Sequence, residues 1–244
     1  MSNLCIDIGN TFTKIAVFDH ARLIHFDRLK EMSLTDLQTV VDKFKVKKSI
    51  ISSVKEEVEV LEDFLGERTN YVRFSTSLTN GVRNNYQSPS TLGLDRWAAV
   101  LGAFGQYART KCLVIDAGTC ITYDVIDSEQ TYYGGSISPG ISMRFKAVHQ
   151  FTGRLPLIEW RPDENIPAGT DTQTAIKNGV LQGVINEIEG FIALNNKDKS
   201  AFKVIITGGD ADFLFNQLQN SIFAPQIIKD PYLVLKGLNE AIAD

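Results

Sequence analysis

The sequence predicts an α/β protein built from a duplicated, mixed β-sheet with flanking helices. Residues 4–14 read as a strand, a tight turn and a second strand. Residues 113–123 repeat that plan about a hundred positions later, with Asp116-Ala117-Gly118-Thr119 echoing Asp7-Ile8-Gly9-Asn10-Thr11. Helical stripes alternate with short β-rich runs in both halves. The boundary between the halves is expected near Lys111, giving an N-terminal domain of residues 1–110 and a C-terminal domain of residues 111–244.

In the opening stretch Leu4, Ile6 and Ile8 alternate with Cys5, Asp7 and Gly9, the period of a strand. Ile15, Ala16, Val17 and Phe18 continue beyond the turn. Gly9 lets a bulky anion approach the backbone. Asn10 and Thr11 offer neutral donors, Lys14 offers a charge, and Asp7 suits a hydrated divalent cation. Read alone, this turn also fits a hairpin with an exposed Asp. The echo in the second half favours a phosphate-gripping turn in each.

Two more strands, joined near residues 19–22, carry the chain to about Arg28. A helix over 35–44 turns Leu37, Val40, Val41 and Phe44 to one face, and a buried strand covers 49–54. A second helix over 56–65 is expected to face Val60, Leu61 and Phe64 inward, with Glu56, Glu57 and Glu59 solvated near its start. Residues 75–92 are polar and loop-like. Ala and Leu content then predicts a helix from Gly93, with Asp95 and Arg96 in its first turn. There Asp95 also fits a capping carboxylate with Arg96 as its surface partner. A cap, however, needs neither the Gly two positions earlier nor the adjacent Arg.

In the second half, strands are expected at 112–117, 120–127 and 131–137, and Pro139 suits the start of the next helix. Three prolines make residues 151–169 a long irregular loop. A helix over 171–194 has Thr170, Asp171 or Thr172 as its cap. It carries the stripe Ile176, Val180, Val184, Ile188 and Ile192, widened by Leu181 and Ile185, which fits either a core or a dimer face. A strand over 203–207 leads into Gly208-Gly209-Asp210, a turn that allows close passage of a flat or phosphorylated ligand. A last helix runs over 232–243.

The bulk numbers exclude several classes. The net charge of −4 and pI near 5.5 argue against a general nucleic-acid binder. No apolar run is long enough to cross a bilayer, and no signal peptide is evident, so a cytoplasmic protein is expected. Cys5, Cys112 and Cys120 read as reduced core residues, and His20, His25 and His149 lack metal-ligand spacing. The phosphate-binding loop of P-loop enzymes, the dinucleotide fingerprint and the protein-kinase catalytic set are all missing from the sequence.

Asp7-Ile8-Gly9-Asn10-Thr11, Gly93-Leu94-Asp95-Arg96, Asp116-Ala117-Gly118-Thr119 and Thr207-Gly208-Gly209, in this order, resemble the type III pantothenate kinase family over nearly the whole chain. The resemblance implies two ribonuclease-H-like domains of the actin-like ATPase fold with an interdomain cleft. It further implies ATP-dependent phosphorylation of pantothenate, the first committed step of coenzyme A synthesis, in a homodimer activated by K⁺ or NH₄⁺. Residue by residue, it makes Asp7, Ile8, Gly9, Asn10, Thr11, Phe12, Thr13 and Lys14 the first phosphate motif, with Asp7 near Mg²⁺. Asp95 becomes the catalytic base, and Tyr86, Gly93, Leu94, Asp95 and Arg96 become pantothenate contacts. Asp116 becomes the monovalent-cation ligand, Gly118 and Thr119 the second phosphate contact, and Gly208 and Gly209 nucleotide contacts. Thr172 is the substrate threonine, with Thr170 and Thr174 as rivals.

The chemistry suits these residues. Phosphoryl transfer needs charge neutralisation, alignment and a place for the nucleophile's proton rather than covalent work by the protein. Two readings compete: another small-molecule kinase or ATPase of the same superfamily, and a non-catalytic regulatory relative. Retention of Asp7, Lys14, Asp95 and Asp116 together argues against the second, because a binding scaffold has no use for that set.

Overall fold

Seven residues, alternately apolar, make β1 (Ser2–Ile8) the centre of a sheet. The computed structural model describes residues 2–9, 11–53, 58–197 and 201–243. Asn10, Val54, Glu56 and Glu57, each named above, lie outside these. The chain divides into two compact units, the first comprising residues 1–109, 129–133 and 232–244, the second residues 110–128 and 134–231.

In the first unit β1 pairs antiparallel with β2 (Thr13–Asp19), which pairs antiparallel with β3 (Arg22–Leu29). On its other side β1 pairs parallel with β4 (Lys48–Ser53), and β4 with β5 (Asn70–Arg73). Leu4, Ile6, Ile8, Ile15, Val17 and Ile51 project to one face, where they meet Leu37, Val40 and Val41 of α1 (Leu34–Phe44) and Leu65 of α2 (Glu59–Arg68). Ser33 and Asp36 close a reciprocal cap at the start of α1, satisfying two backbone N–H groups. Val60 departs from expectation: it is 64% exposed, because α2 begins at Glu59, and Val58 and Leu65 take the inward places. Between residues 75 and 92 the loop contains a two-residue strand, β6 (Arg83–Asn84), and a 3-10 turn at Pro89–Thr91.

The opposite face of this sheet carries α3 (Leu94–Gln106) and, from the far end of the sequence, α7 (Leu233–Ala241). Helix α3 is buried from Arg96 to Ala103, so its sequence is apolar all round rather than striped. The two helices touch backbone to backbone. A Cβ on Gly237 would lie 1.7 Å from the Ala98 carbonyl oxygen, and one on Gly102 would lie 2.3 Å from that of Leu233. Arg96 is 6% exposed, which overturns its reading as a surface partner: α3 enters the core from its first turn.

The second unit repeats the order. The strands β7 (Lys111–Ala117), β8 (Cys120–Ile126), β9 (Thr131–Pro139), β10 (Phe202–Thr207) and β11 (Ile227–Lys229) lie as β9-β8-β7-β10-β11, matching β3-β2-β1-β4-β5. The pairing senses also match where β7 meets β8, β10 meets β7 and β11 meets β10. Strand β9 starts in the first unit, where Thr131 and Tyr132 pair with β6. Its last residue is Pro139. The following helix, α4 (Ile141–Gln150), starts two residues later with Gly140 at its N-cap, so Pro139 ends a strand rather than opening a helix.

Helix α5 (Thr172–Asn195) buries Ile176, Val180, Leu181, Val184, Ile185, Ile188 and Ile192 in the unit's core together with β7, β8, β10 and α6 (Ala211–Gln217). That stripe is therefore core, not a dimer face. Asp171 is the cap, accepting from the backbone of Gln173 and Thr174. Among the described residues no helix is long and apolar enough to cross a membrane.

Because the α3–α7 contact leaves no room for a side chain at Gly237, Gly237→Ala should destabilise the protein by about 1–3 kcal/mol, the usual range for overpacking. Urea unfolding measured against the parent checks this, and an unchanged midpoint would show that the helices can separate at little cost.

Candidate active site

The first turn is built by register. Asp7, one residue before the end of β1, stands opposite Lys14 on β2, so both side chains project from the sheet face that carries α3. The Lys14 Nζ lies 3.9 Å from Asp7 Oδ2. The connecting turn is closed by Gly9 N–H donating to the Phe12 carbonyl at 3.1 Å, and Thr13 is buried as β2 begins. The Phe12 ring carries the Arg28 guanidinium 3.7 Å from its centroid, a contact that no sequence motif announced.

Asp95 belongs to the same unit. Gly93 is the N-cap of α3 and Asp95 lies in its first turn, exposed, with Oδ1 accepting from the Arg96 backbone N–H at 2.8 Å. The need for Gly93 is now physical: a Cβ there would lie 2.6 Å from Asp95 Oδ1. Asp95 is also near enough to act on Asp7. Burial pushes the Asp7 carboxyl up to about 6, Lys14 opposes that rise, and the Asp95 charge adds to it. Two carboxylates and one imperfectly placed lysine thus form an under-neutralised acidic pair, a setting suited to a bound cation. Among the described residues no group of three or more His, Cys, Asp or Glu could form a protein-only metal cage. The fit is to an ion held largely by water and phosphate oxygens.

Arg96 lies with its guanidinium 5.7 Å from the Tyr86 ring centroid, and Tyr86 stacks at 6.0 Å on Tyr132. The neighbouring Trp97 donates to the Leu78 carbonyl at 3.0 Å. The loop before α3 is thereby tied to the helix, and Tyr86, Asp95 and Arg96 share one neighbourhood.

The second turn repeats the first with fewer residues. Asp116, one residue before the end of β7, faces Thr122 on β8 and Thr207 on β10. Only Gly118 and Thr119 separate β7 from β8, with Gly118 N–H donating to the Cys120 carbonyl at 2.9 Å. Gly208 has φ of +97°, and a Cβ there would meet the Ala117 carbonyl oxygen at 2.3 Å and Asp116 Oδ1 at 2.5 Å. By contrast, a Cβ on Gly118 or Gly209 would meet nothing within 4 Å, so the fold's own packing does not demand glycine at either position. Gly118 and Thr119 line a cavity of about 290 Å³ with Ser142, Met143, Lys146 and Asp210. Burial raises the Asp210 carboxyl to about 6. Sequence reasoning missed Ser142, Met143 and Lys146, since helix α4 carries no motif and only its proximity to Thr119 marks it.

Of the three threonines near α5, Thr174 is committed to the cap, its Oγ1 accepting from the backbone of Thr170 and Asp171. Thr172 is exposed in the first helical turn.

The fold is shared with solved structures. A Campylobacter jejuni protein described as a Baf family transcriptional activator superposes with a TM-score of 0.61 at 25% identity, over 98% of this chain and 96% of that one. A Listeria monocytogenes protein described as an N-acetylmannosamine kinase gives 0.55 at 16% identity, over 99% and 98%. Repeated sheet order and paired Asp-x-Gly turns place the chain in the sugar-kinase and actin-like class of two-domain α/β proteins. The sequence profile of type III pantothenate kinase matches residues 3–194. The Bacteroides fragilis type III pantothenate kinase is 44% identical over 243 residues, covering 98% of this chain and 97% of that protein. The chain belongs to the type III pantothenate kinase family.

The raised Asp7 carboxyl has a consequence for stability. Between its ordinary value of 3.8 and about 6 the folded state binds more protons than the unfolded chain, so stability falls as pH rises through that window. Asp7→Asn removes this cost, which is at most roughly 3 kcal/mol at neutral pH. Its melting temperature should exceed the parent's at pH 7 and converge with it near pH 4. Equal melting temperatures at pH 7 would show that the carboxylate is compensated in the folded state.

Proposed function

We propose that the chain transfers the terminal phosphoryl group of ATP to the primary hydroxyl of pantothenate, giving 4′-phosphopantothenate, the first step of coenzyme A biosynthesis. The observation that carries this reading is the proximity of Asp95, exposed at the start of α3, to the half-buried Asp7–Lys14 pair. A proton acceptor and a phosphate-binding turn then stand side by side.

Asp95 acts as the general base. Its Oδ1 is engaged by the Arg96 N–H, which orients the carboxylate and leaves Oδ2 for the pantothenate hydroxyl. Arg96 offers its planar guanidinium to the substrate carboxylate, with Tyr86 beneath it. Gly93 leaves room for the Asp95 carboxylate, and Gly93 and Leu94 complete the pantothenate-contacting segment. Thr172, exposed at the start of α5, is the substrate-binding threonine.

The turn from Asp7 to Lys14 and the turn at Gly118 and Thr119 bind the phosphates of ATP through backbone amides, hydroxyls and the lysine charge. Gly208 and Gly209 admit the nucleotide. Mg²⁺, held through water by Asp7, would neutralise charge on the phosphate chain. Asp116 would hold K⁺ or NH₄⁺ among nearby oxygens that include the Ala117 carbonyl. The family resemblance extends the reading to a homodimer acting in the cytoplasm.

A coupled assay of ADP release with pantothenate, ATP, Mg²⁺ and K⁺ tests the whole reading. A panel of other small alcohols separates pantothenate from rival acceptors, and no turnover with any acceptor would favour a regulatory protein. Asp95→Asn should lower kcat by about 10²–10⁴-fold with an unchanged unfolding transition. A variant with parental kcat would remove Asp95 as the base. Replacing K⁺ by Na⁺ should lower activity in the parent, and equal rates in both salts would reject the role of Asp116.

A further inference from the structure

Three charged side chains stand in one row across the first sheet. Asp7 on β1 is opposite Lys14 on β2, and Lys14 is opposite Arg28 on β3, so all three project from the same face. The row ends there, because β3 is the edge strand of its sheet. Two cations directly opposite one another on neighbouring strands repel and cost stability. Asp7 is placed to offset one of them, Lys14, at 3.9 Å. Arg28 is exposed and has no ion-pair partner among the described residues. The carboxylate beside it in sequence, Asp27, projects to the other face and lies 2.8 Å from His25 Nε2.

Arg28 is nevertheless held in place. Its guanidinium lies 3.7 Å from the centroid of the half-buried Phe12 ring. Phe12 stands two residues before Lys14, diagonal to Arg28 across the ladder, in the turn that connects Asp7 to Lys14. A ring face fixes a guanidinium without using any of its N–H donors. The sheet thus presents a planar cation with its donors available, next to a lysine and beside the first turn.

We propose that Arg28 is a second phosphate-binding cation of that turn. Its fork takes phosphate oxygens of ATP that Lys14, a point charge shared with Asp7, leaves unneutralised. Phe12 is its positioning residue, setting where the guanidinium stands. The proposal rests on the kinase reading above and deepens it, adding a residue outside the Asp-x-Gly, Gly-x-Asp-Arg and Thr-Gly-Gly motifs. The rival role is a structural staple, in which Arg28 only ties β3 to the turn.

Calorimetric titration of the full-length protein with tripolyphosphate in the presence of Mg²⁺ separates the two roles. Arg28→Gln should weaken tripolyphosphate binding about tenfold, the size of one lost charge-assisted hydrogen bond. Because Arg28 is exposed on an edge strand, the substitution leaves the core alone. Arg28→Lys, which keeps the charge, should recover most of the affinity. In a Phe12→Leu background Arg28→Gln should still cost several-fold, because the charge acts on the phosphates directly, whereas a staple has nothing left to lose once the ring is gone. In the kinase assay Arg28→Gln should raise the KM for ATP about tenfold and leave kcat and the KM for pantothenate near the parent's.

A parent that does not bind tripolyphosphate, an unchanged affinity in Arg28→Gln, an Arg28→Lys variant as weak as Arg28→Gln, or no further loss from Arg28→Gln in the Phe12→Leu background would each overturn the proposal. The titrations need no turnover, so failure of the kinase reading looks different: the parent would release no ADP with pantothenate, whatever its affinity for tripolyphosphate.

Discussion

The site depends on a contact that contains no functional residue. Helices α3 and α7 meet where Gly102 and Gly237 bring backbone against backbone, and any side chain at Gly237 would collide with the Ala98 carbonyl. That closeness lets α3 be buried from Arg96 to Ala103 while its first turn still presents Asp95 outward. Close helix packing through small residues is an inexpensive way to fix a helix axis, since dispersion contacts accumulate along the whole interface. Here it fixes the position of a carboxylate at the helix end. The C-terminal helix therefore serves the first unit, although it is the last element of the chain.

Duplication explains the rest of the arrangement and also its asymmetry. Both sheets place an Asp one residue before the end of the central strand, with a glycine two positions on. Their surroundings have diverged. Asp7 faces a lysine, while Asp116 faces threonines on both sides. The first turn has room for several donors, and the second is reduced to Gly118 and Thr119. The same hairpin plan thus carries an Asp–Lys pair in one half and an Asp among threonine hydroxyls in the other.

How much of this was legible in the sequence follows from what each signal encodes. Strand alternation and the 3.6-residue stripes encode which face is apolar, so the strands and α1 and α5 stand close to where periodicity puts them, while α3, buried all round, was legible from its Ala and Leu content instead. Periodicity does not name the partner of a face. The stripe on α5 fitted a core or a dimer surface equally, and only the cluster with β7, β10 and α6 decides for the core. Val60 was misplaced because a short acidic helix has too weak a pattern to fix the edge of its apolar face: Leu61 and Phe64 do pack on the core, but Leu65 rather than Val60 completes the inward set. In the candidate site, the Gly93–Asp95 contact was legible as a local spacing because both partners lie within three residues, whatever role Asp95 has. Arg28 over Phe12, and Lys146 beside Thr119, depend on register and tertiary packing, which leave no mark at short range.

The electrostatics of Asp7 complete the physical account. A buried carboxylate raised to about 6 works against folding at neutral pH, and Lys14 at 3.9 Å is too far for a hydrogen-bonded ion pair. A fold selected for stability alone would close that distance or replace the carboxylate. Retaining both groups apart leaves a positive charge and a negative charge each short of a partner, the lysine for an anion and the aspartate for a cation. Under the proposed reading, a phosphate chain carrying a hydrated metal ion would supply both partners, and would offset the like-charge repulsion between Asp7 and Asp95.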